Sequence, residues 1–228
     1  MSLNDVKTYY NKIANEYDKS RFENSYGSFI DRQERYFLHS HLKKTGTILS
    51  LGCGTGRFME YATCGTDFSD EMIQIAKKNY PTKEFILASA NDLPYEDNSI
   101  DAIFCFHVIM HLPEHYLKEI LVEVFRVLKP GGQFVFDFPS ANRRKKTSYN
   151  AANWHGASSY TIKQIKSFTK NYFANQKFRG FIFHPIHRIP VIFRPLVYPV
   201  DQLLNFSPLK TYSSYIAFSG IKKKLVHD

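Results

Sequence analysis

The sequence predicts an α/β fold, a doubly wound, mostly parallel sheet of seven strands with helices on both faces. Two observations predict it. Between residues 47 and 138, short apolar runs alternate with segments of helical periodicity, the pattern of a parallel sheet covered on both sides. The first of these runs also passes straight into three glycines at alternate positions, Gly52, Gly54 and Gly56 in ILSLGCGTGRF, although the chain has only 11 glycines in 228 residues. Glycine in a strand-to-helix turn lets the backbone take positive φ and lets a ligand approach the main chain. In such sheets, ligands bind beyond the carboxyl ends of the strands, where the strand order reverses.

The elements follow in order. Val6, Tyr9, Tyr10, Ile13, Ala14 and Tyr17 fall at helical spacing and predict a helix over 5–17, with a second over 27–43. TILSL (47–51) reads as a buried strand, and a short helix is expected after the glycines. A strand ending near Asp67 leads into a helix that Ser69 can cap. EFILA (84–88) and IDAIFCF (100–106) read as further buried strands. Leu117, Ile120, Leu121, Val124, Phe125 and Leu128 form one apolar stripe, predicting a helix over 113–128 that Lys129-Pro130-Gly131-Gly132 ends. QFVFDF (133–138) is the fifth strand. Beyond it, 139–158 reads as a loop, 160–173 as a helix, and FRGFIFH and TYSSYIAFSGI as two late strands. The 184–208 segment between those strands holds five of the ten prolines and reads as an insertion.

Composition narrows the class. The chain is 43% apolar and long enough for one full core, expected as a single domain over 1–228. No apolar run reaches the ~18 residues of a membrane span, and the N-terminal residues lack a charged-then-apolar signal, so a cytoplasmic protein is expected. Cys53, Cys64 and Cys105 fit reduced thiols. The net charge of +9 is uneven: residues 1–138 carry 15 Lys and Arg against 19 Asp and Glu, whereas 139–228 carry 15 against two. Such asymmetry suits an acidic partner or a solubilising surface.

Three readings of the glycine turn compete. A phosphate-cradling ATPase loop needs a Lys-Ser/Thr pair where Arg57-Phe58 stands. A dinucleotide fingerprint needs a glycine at position 57 and an acid about 20 residues on, and Asp67 arrives too early. The third reading is a family resemblance. G-x-G-x-G with an acid ending the second strand, together with "YYNKIANEYD", "GTDFSDEMIQIAKKN", "ANDLPYEDNSIDAIFCFHVIMHL" and "EVFRVLKPGGQFVF", resembles the class I S-adenosylmethionine-dependent methyltransferases, type 11-like, over roughly residues 5–138.

The resemblance implies a Rossmann-like methyltransferase fold with cover helices in 1–44, a cofactor-binding core in 45–138 and a substrate-side part in 139–228 carrying the 184–208 insertion. It implies that Gly52, Cys53, Gly54 and Gly56 meet the methionine part of S-adenosylmethionine, and that Asp67 takes the ribose hydroxyls. Phe68 and Met72 would pack on the adenine, which Ser89, Ala90 and Asn91 would flank. Ser89 stands where the family usually has an acid, and the path from Gly56 to Asp67 is short for the family. Phe106 would touch the amino group of the cofactor, and Tyr17 and Arg21 would close the pocket. Tyr10, His111, Trp154, Arg188 and Arg194 are the candidate substrate contacts.

Methyl transfer from a sulfonium needs in-line placement more than covalent help, and a base only for a poorly ionised hydroxyl or amine. His107 and His155 are the candidate bases. No metal is expected, because Pro113 breaks any helix that would join His107, His111 and His115. The expected activity is methylation of a small anionic or lipid-like molecule on oxygen, nitrogen or carbon. A tRNA methyltransferase acting on a modified uridine and a catalytically inactive, cofactor-binding partner subunit are the alternatives.

Overall fold

Seven strands form one sheet in the order β3-β2-β1-β4-β5-β7-β6. They are β1 (Ile48–Leu51), β2 (Cys64–Asp67), β3 (Glu84–Leu87), β4 (Ile100–Cys105), β5 (Leu128–Pro139), β6 (Phe173–Phe181) and β7 (Tyr215–Lys222). The computed structural model describes residues 3–151 and 154–224. β1 to β5 pair in parallel, while β7 runs antiparallel to both β5 and β6. The order reverses between β1 and β4, and the glycine turn leaves β1 at that reversal.

The strand alternation feeds two cores. Leu49, Leu51, Ile103, Phe134, Phe136 and Phe138 face the side covered by α5 (Glu114–Val127) and α7 (Ile162–Thr169). Ile48, Phe104, Phe106, Val135 and Ala217 face the side of α3 (Ser25–His41) and α4 (Asp70–Asn79). The apolar stripe of α5 is buried throughout at Leu117, Ile120, Leu121 and Val124. Caps set the helix starts: the Asn24 side chain accepts from the Tyr26 and Gly27 N–H groups, and Ser69 from that of Met72.

The structure departs from the expectations in several places, among them β5, which begins at Leu128 and not at Gln133. The first helix, α1 (Leu3–Ile13), breaks at a 3₁₀ turn before α2 (Tyr17–Arg21). The glycines lead into a single 3₁₀ turn, Met59–Tyr61, because the path to β2 is too short for a helix. β3 lies at the sheet edge and exposes Glu84 and Leu87. The 139–158 stretch is not all loop: Ser140 caps α6 (Ala141–Thr147), which buries no residue and so carries no apolar stripe to announce it. The helix expected over 160–173 stops at Thr169, and β6 begins at Phe173. Most consequentially, the proline-rich insertion contains a thirteen-residue helix, α8 (Arg194–Phe206). Pro195 sits in its first turn, where the missing N–H costs nothing, and Pro199 lies inside it.

A buried polar network anchors α8. Asp201 and Asn205 of α8 and Gln33 of α3 are all fully buried. One Asp201 oxygen accepts from Gln33 Nε2 at 2.6 Å and Asn205 Nδ2 at 2.8 Å, the other from the His184 N–H at 2.8 Å. Gln33 Oε1 in turn accepts from the Ile182 N–H at 2.9 Å. Removing a shared acceptor strands several buried donors, each at a cost of about 1–3 kcal/mol. Asp201→Ala is therefore expected to lower unfolding stability by roughly 3 kcal/mol or more in urea melts. A loss below about 1 kcal/mol would show that α8 is held by its apolar contacts alone.

Candidate functional site

The site begins where β1 ends. Gly52 and Gly54 take φ of +69° and +53°, a region that side chains rarely adopt. A Cβ on Gly52 would strike Val108 Cγ2 at 2.4 Å, whereas one on Gly54 would have only Met72 Sδ near it, at 4.0 Å, and would fill the cavity. The two glycines thus serve different ends, close packing and open backbone. Asp67, the last residue of β2, faces this turn. Its Oδ2 accepts from the Gly54 N–H at 2.9 Å and its Oδ1 from the Ser69 N–H at 3.0 Å. Burial raises the Asp67 pKa against these hydrogen bonds. Each oxygen keeps a further lone pair, which suits a vicinal diol.

Around this turn lies a mostly apolar cavity of about 930 Å³, mouth included, within the range of cofactor sites. Of the residues singled out from the sequence, Tyr10, Tyr17, Gly52, Cys53, Gly54, Asp67, Phe68, Met72, Ala90, Phe106, His107 and His111 line it. Helices α1 and α2 form its lid. The Tyr10 ring lies 6.0 Å from Tyr17 and 5.8 Å from His111, Ser69 donates to Asn11 at 2.5 Å, and Thr55 donates to Asp18 at 2.9 Å. Burial pushes the Tyr17 hydroxyl up to about 12 despite Arg21 and Arg57 nearby.

Other expected residues stand back from the cavity wall. A Cβ on Gly56 would meet Tyr80 at 3.0 Å, so this glycine serves packing. Ser89 donates to Asn91 Oδ1, and Asn91 Nδ2 to Glu119, which turns both side chains towards α5. Arg21 Nη2 lies 3.1 Å from His155 Nε2, and the Trp154 ring packs on Tyr9 and His111 at 5.3 and 5.9 Å, so these three build the rim. Arg188 and Arg194 do not join them. Arg188 is exposed beyond β6, and Arg194 Nε donates to the Ile189 carbonyl. The rim arginines are instead Arg21 and Arg144, the latter donating to the Ala157 carbonyl.

Sequence reasoning missed Phe22, Arg57 and Val108 on the wall and, beneath it, a buried charge cluster. His107 follows β4 with φ of +59°, a strained value for a non-glycine residue. Its N–H donates to Asp137 Oδ1 at 2.6 Å, its Nε2 lies 2.8 Å from Glu34 Oε1, and its Nδ1 lies 3.7 Å from Asp137 Oδ2. Glu34, fully buried, also receives Arg57 Nη2 at 2.7 Å. Burial opposes the charge of His107, but Glu34 and Asp137 outweigh it and raise its pKa. Burial likewise opposes ionised Glu34, and His107 and Arg57 outweigh it in turn and lower its pKa. Burial lifts Asp137 to about 6. The two carboxylates are thus balanced by two cations. Ligand atoms of Glu34, His107 and Asp137 lie within 4.8 Å of one another, but the direct Glu34–His107 contact and Arg57 already satisfy the charge a cation would meet.

The expected base at His107 meets a physical obstacle here, since its ring nitrogens face carboxylates rather than the cavity. His111 Nδ1 accepts from the Gly156 N–H at 2.9 Å, so its Nε2 carries the proton. Burial, with His155, His107, Arg21 and Arg144 close by, pushes His111 down to about 2. Arg21 likewise occupies Nε2 of His155, whose pKa burial lowers.

Glycine turn, acid and cavity define a nucleotide-type cofactor site at the switch point of a doubly wound sheet. Residues 49–136 match the methyltransferase domain family. An uncharacterized protein of Methanocaldococcus jannaschii is 37% identical over 134 residues, 58% of this chain and 50% of that protein. The demethylmenaquinone methyltransferase of Lactococcus lactis is 33% identical over 149 residues, 57% of this chain and 56% of the enzyme. The chain thus spans about half the length of these curated relatives. A solved S-adenosylmethionine-dependent methyltransferase of Thermotoga maritima shares the fold, with a TM-score of 0.74 at 19% identity over 95% of this chain and 99% of that one. Residues 49–136 thus carry a methyltransferase domain, in a chain with the fold of the S-adenosylmethionine-dependent methyltransferases, and the glycine turn and Asp67 suit S-adenosylmethionine as the cofactor.

The cluster dictates a pH dependence. Raised values for His107 and Asp137 mean that the folded protein holds protons the unfolded chain has released, so both groups make stability fall as pH rises. Asp137 acts between its ordinary 3.8 and about 6. The His107 contribution is complete below its ordinary 6.5 and is lost as pH climbs through its higher folded value. Urea midpoints are expected to fall from pH 6.5 upward, and less steeply in Glu34→Gln, which lacks the carboxylate that holds the proton. Parallel curves for the two proteins would remove Glu34 from that role.

Proposed function

We propose that this chain transfers the methyl group of S-adenosylmethionine to a small acceptor with an apolar body that arrives as an anion, on oxygen, nitrogen or carbon. The observation that carries this reading is the Gly54–Asp67 pair opening on an apolar cavity whose histidines have no lone pair to spare. When bound, the cofactor supplies an electrophilic methyl on a sulfonium. Gly52 and Gly54 would hold its methionine part, Asp67 its ribose, and Phe68 and Met72 its adenine. The lid residues Tyr10 and Tyr17 exclude water. With the lone pairs of His107, His111 and His155 engaged, the described residues suit a nucleophile that needs no deprotonation at the moment of transfer. Arg21 and Arg144, which lie close enough to His111 to depress its pKa, supply the positive potential that draws in an anion. His111 Nε2–H and the wall around it then orient the acceptor, and placement provides most of the acceleration. The similarity to a quinone-precursor methyltransferase supports an apolar acceptor body.

Calorimetry tests the cofactor half. Asp67→Ala should weaken S-adenosylmethionine binding more than tenfold, since hydrogen bonds to a charged group contribute about 1.5–3 kcal/mol each. Equal affinity would remove Asp67 from the site. A cell extract incubated with methyl-labelled cofactor tests the acceptor half: label should enter a small organic-extractable acid. Label found in RNA would transfer the assignment to a tRNA enzyme.

A further inference from the structure

Helix α8 is built inside out. Its inward side carries the polar Asp201 and Asn205, both fully buried, beside Val197 and Tyr198, while the side turned to solvent is apolar. Leu196, Val200 and Leu203 recur at helical spacing with exposures of 73%, 50% and 71%, and the preceding 3₁₀ turn adds Ile192 at 79%. A surface helix of a globular protein has the opposite arrangement. Each of these side chains leaves half or more of its surface to solvent. A continuous apolar stripe of this kind marks a surface that something covers.

The surrounding charge says what. In 139–228 the acids are Asp201, which is buried, and Asp228, against 15 Lys and Arg. Exposed His187 and Arg188 lie before the stripe, and Lys210 follows it. Beside its far end sits the basic helix α6: Asn142 donates to Thr211 at 2.6 Å, and Lys146 Nζ lies 5.5 Å from the Tyr212 ring. Lys145 and Lys146 are both exposed. A second copy of the chain docking face to face would set this positive rim against itself. An aliphatic stripe with cations at both ends fits the boundary of an anionic bilayer, where the stripe enters the acyl region and the cations meet phosphates.

We propose that α8 is an interfacial docking helix that seats the protein on an anionic phospholipid surface. Among the described residues no helix is long and apolar enough to cross a membrane, so the contact is a peripheral one. Helix α6 links this surface to the catalytic rim, since Arg144 donates to Ala157, next to the Trp154–His155 loop. The docking face does not depend on the acceptor assigned above, and the two fail separately.

The test is co-sedimentation of the full chain with vesicles of equal parts phosphatidylglycerol and phosphatidylcholine, and with phosphatidylcholine alone. Binding is expected to the acidic vesicles and to weaken as salt screens it. Leu196→Glu combined with Leu203→Glu should reduce the partition coefficient at least tenfold, and Lys145→Glu with Lys146→Glu severalfold. Both variants alter exposed side chains, so their thermal midpoints and cofactor affinity should stay at wild-type values, while Asp67→Ala should still bind vesicles. Failure to bind acidic vesicles at low salt would overturn the proposal. So would unchanged binding by the double leucine variant, or a wild-type dimer that the variant converts to monomer.

Discussion

Glu34 is the residue on which the site depends. Its carboxylate lies in no solvent at all, yet it meets Arg57 from the glycine turn and His107 from the end of β4. It thereby ties α3 to the glycine turn and to the end of β4, both of which line the cavity. A buried carboxylate carries a desolvation penalty of several kcal/mol, which good ion-pair geometry only about offsets. The cluster therefore adds little to stability, and its value lies in position. With Asp137 it holds His107 in a left-handed conformation that the residue would not choose. The two carboxylates also favour the protonated form of His107 and turn its ring nitrogens away from the cavity.

The strand order was legible in the sequence, whereas the surroundings of His107 were not. Strand alternation and the stripe of α5 are local patterns, visible in consecutive residues, and they placed five parallel strands in order. Ser69 announced its cap because capping involves residues three apart. The basic run Arg143 to Lys146 concealed α6, and five prolines concealed α8, though Pro195 falls where a helix tolerates it.

The cofactor side of the site was legible for the same reason. Its glycines and Asp67 lie at the ends of two paired strands, 15 positions apart from Gly52 to Asp67, and carry a recognisable spacing. The acceptor side was not. The partners of His107 are 73 and 30 residues away, at Glu34 and Asp137, and no pattern in consecutive residues joins them. Arg57 registered only as a failure to match two phosphate motifs, although it is the cation that makes buried Glu34 tolerable. Arg188 and Arg194 drew attention by charge alone, and charge does not say which surface it decorates.

Helix α8 shows where hydrophobic periodicity misleads. Read by its apolar spacing alone, Leu196, Val200 and Leu203 would be placed in the core and Asp201 in solvent. The fold does the reverse, because Gln33 and the His184 N–H present fixed buried donors that only a carboxylate can satisfy together. Once Asp201 is inside, the helix has no rotational freedom left and its leucines must face out. Apolar side chains left half or more exposed opposite a buried acid are the arrangement on which the interfacial docking proposed for α8 rests.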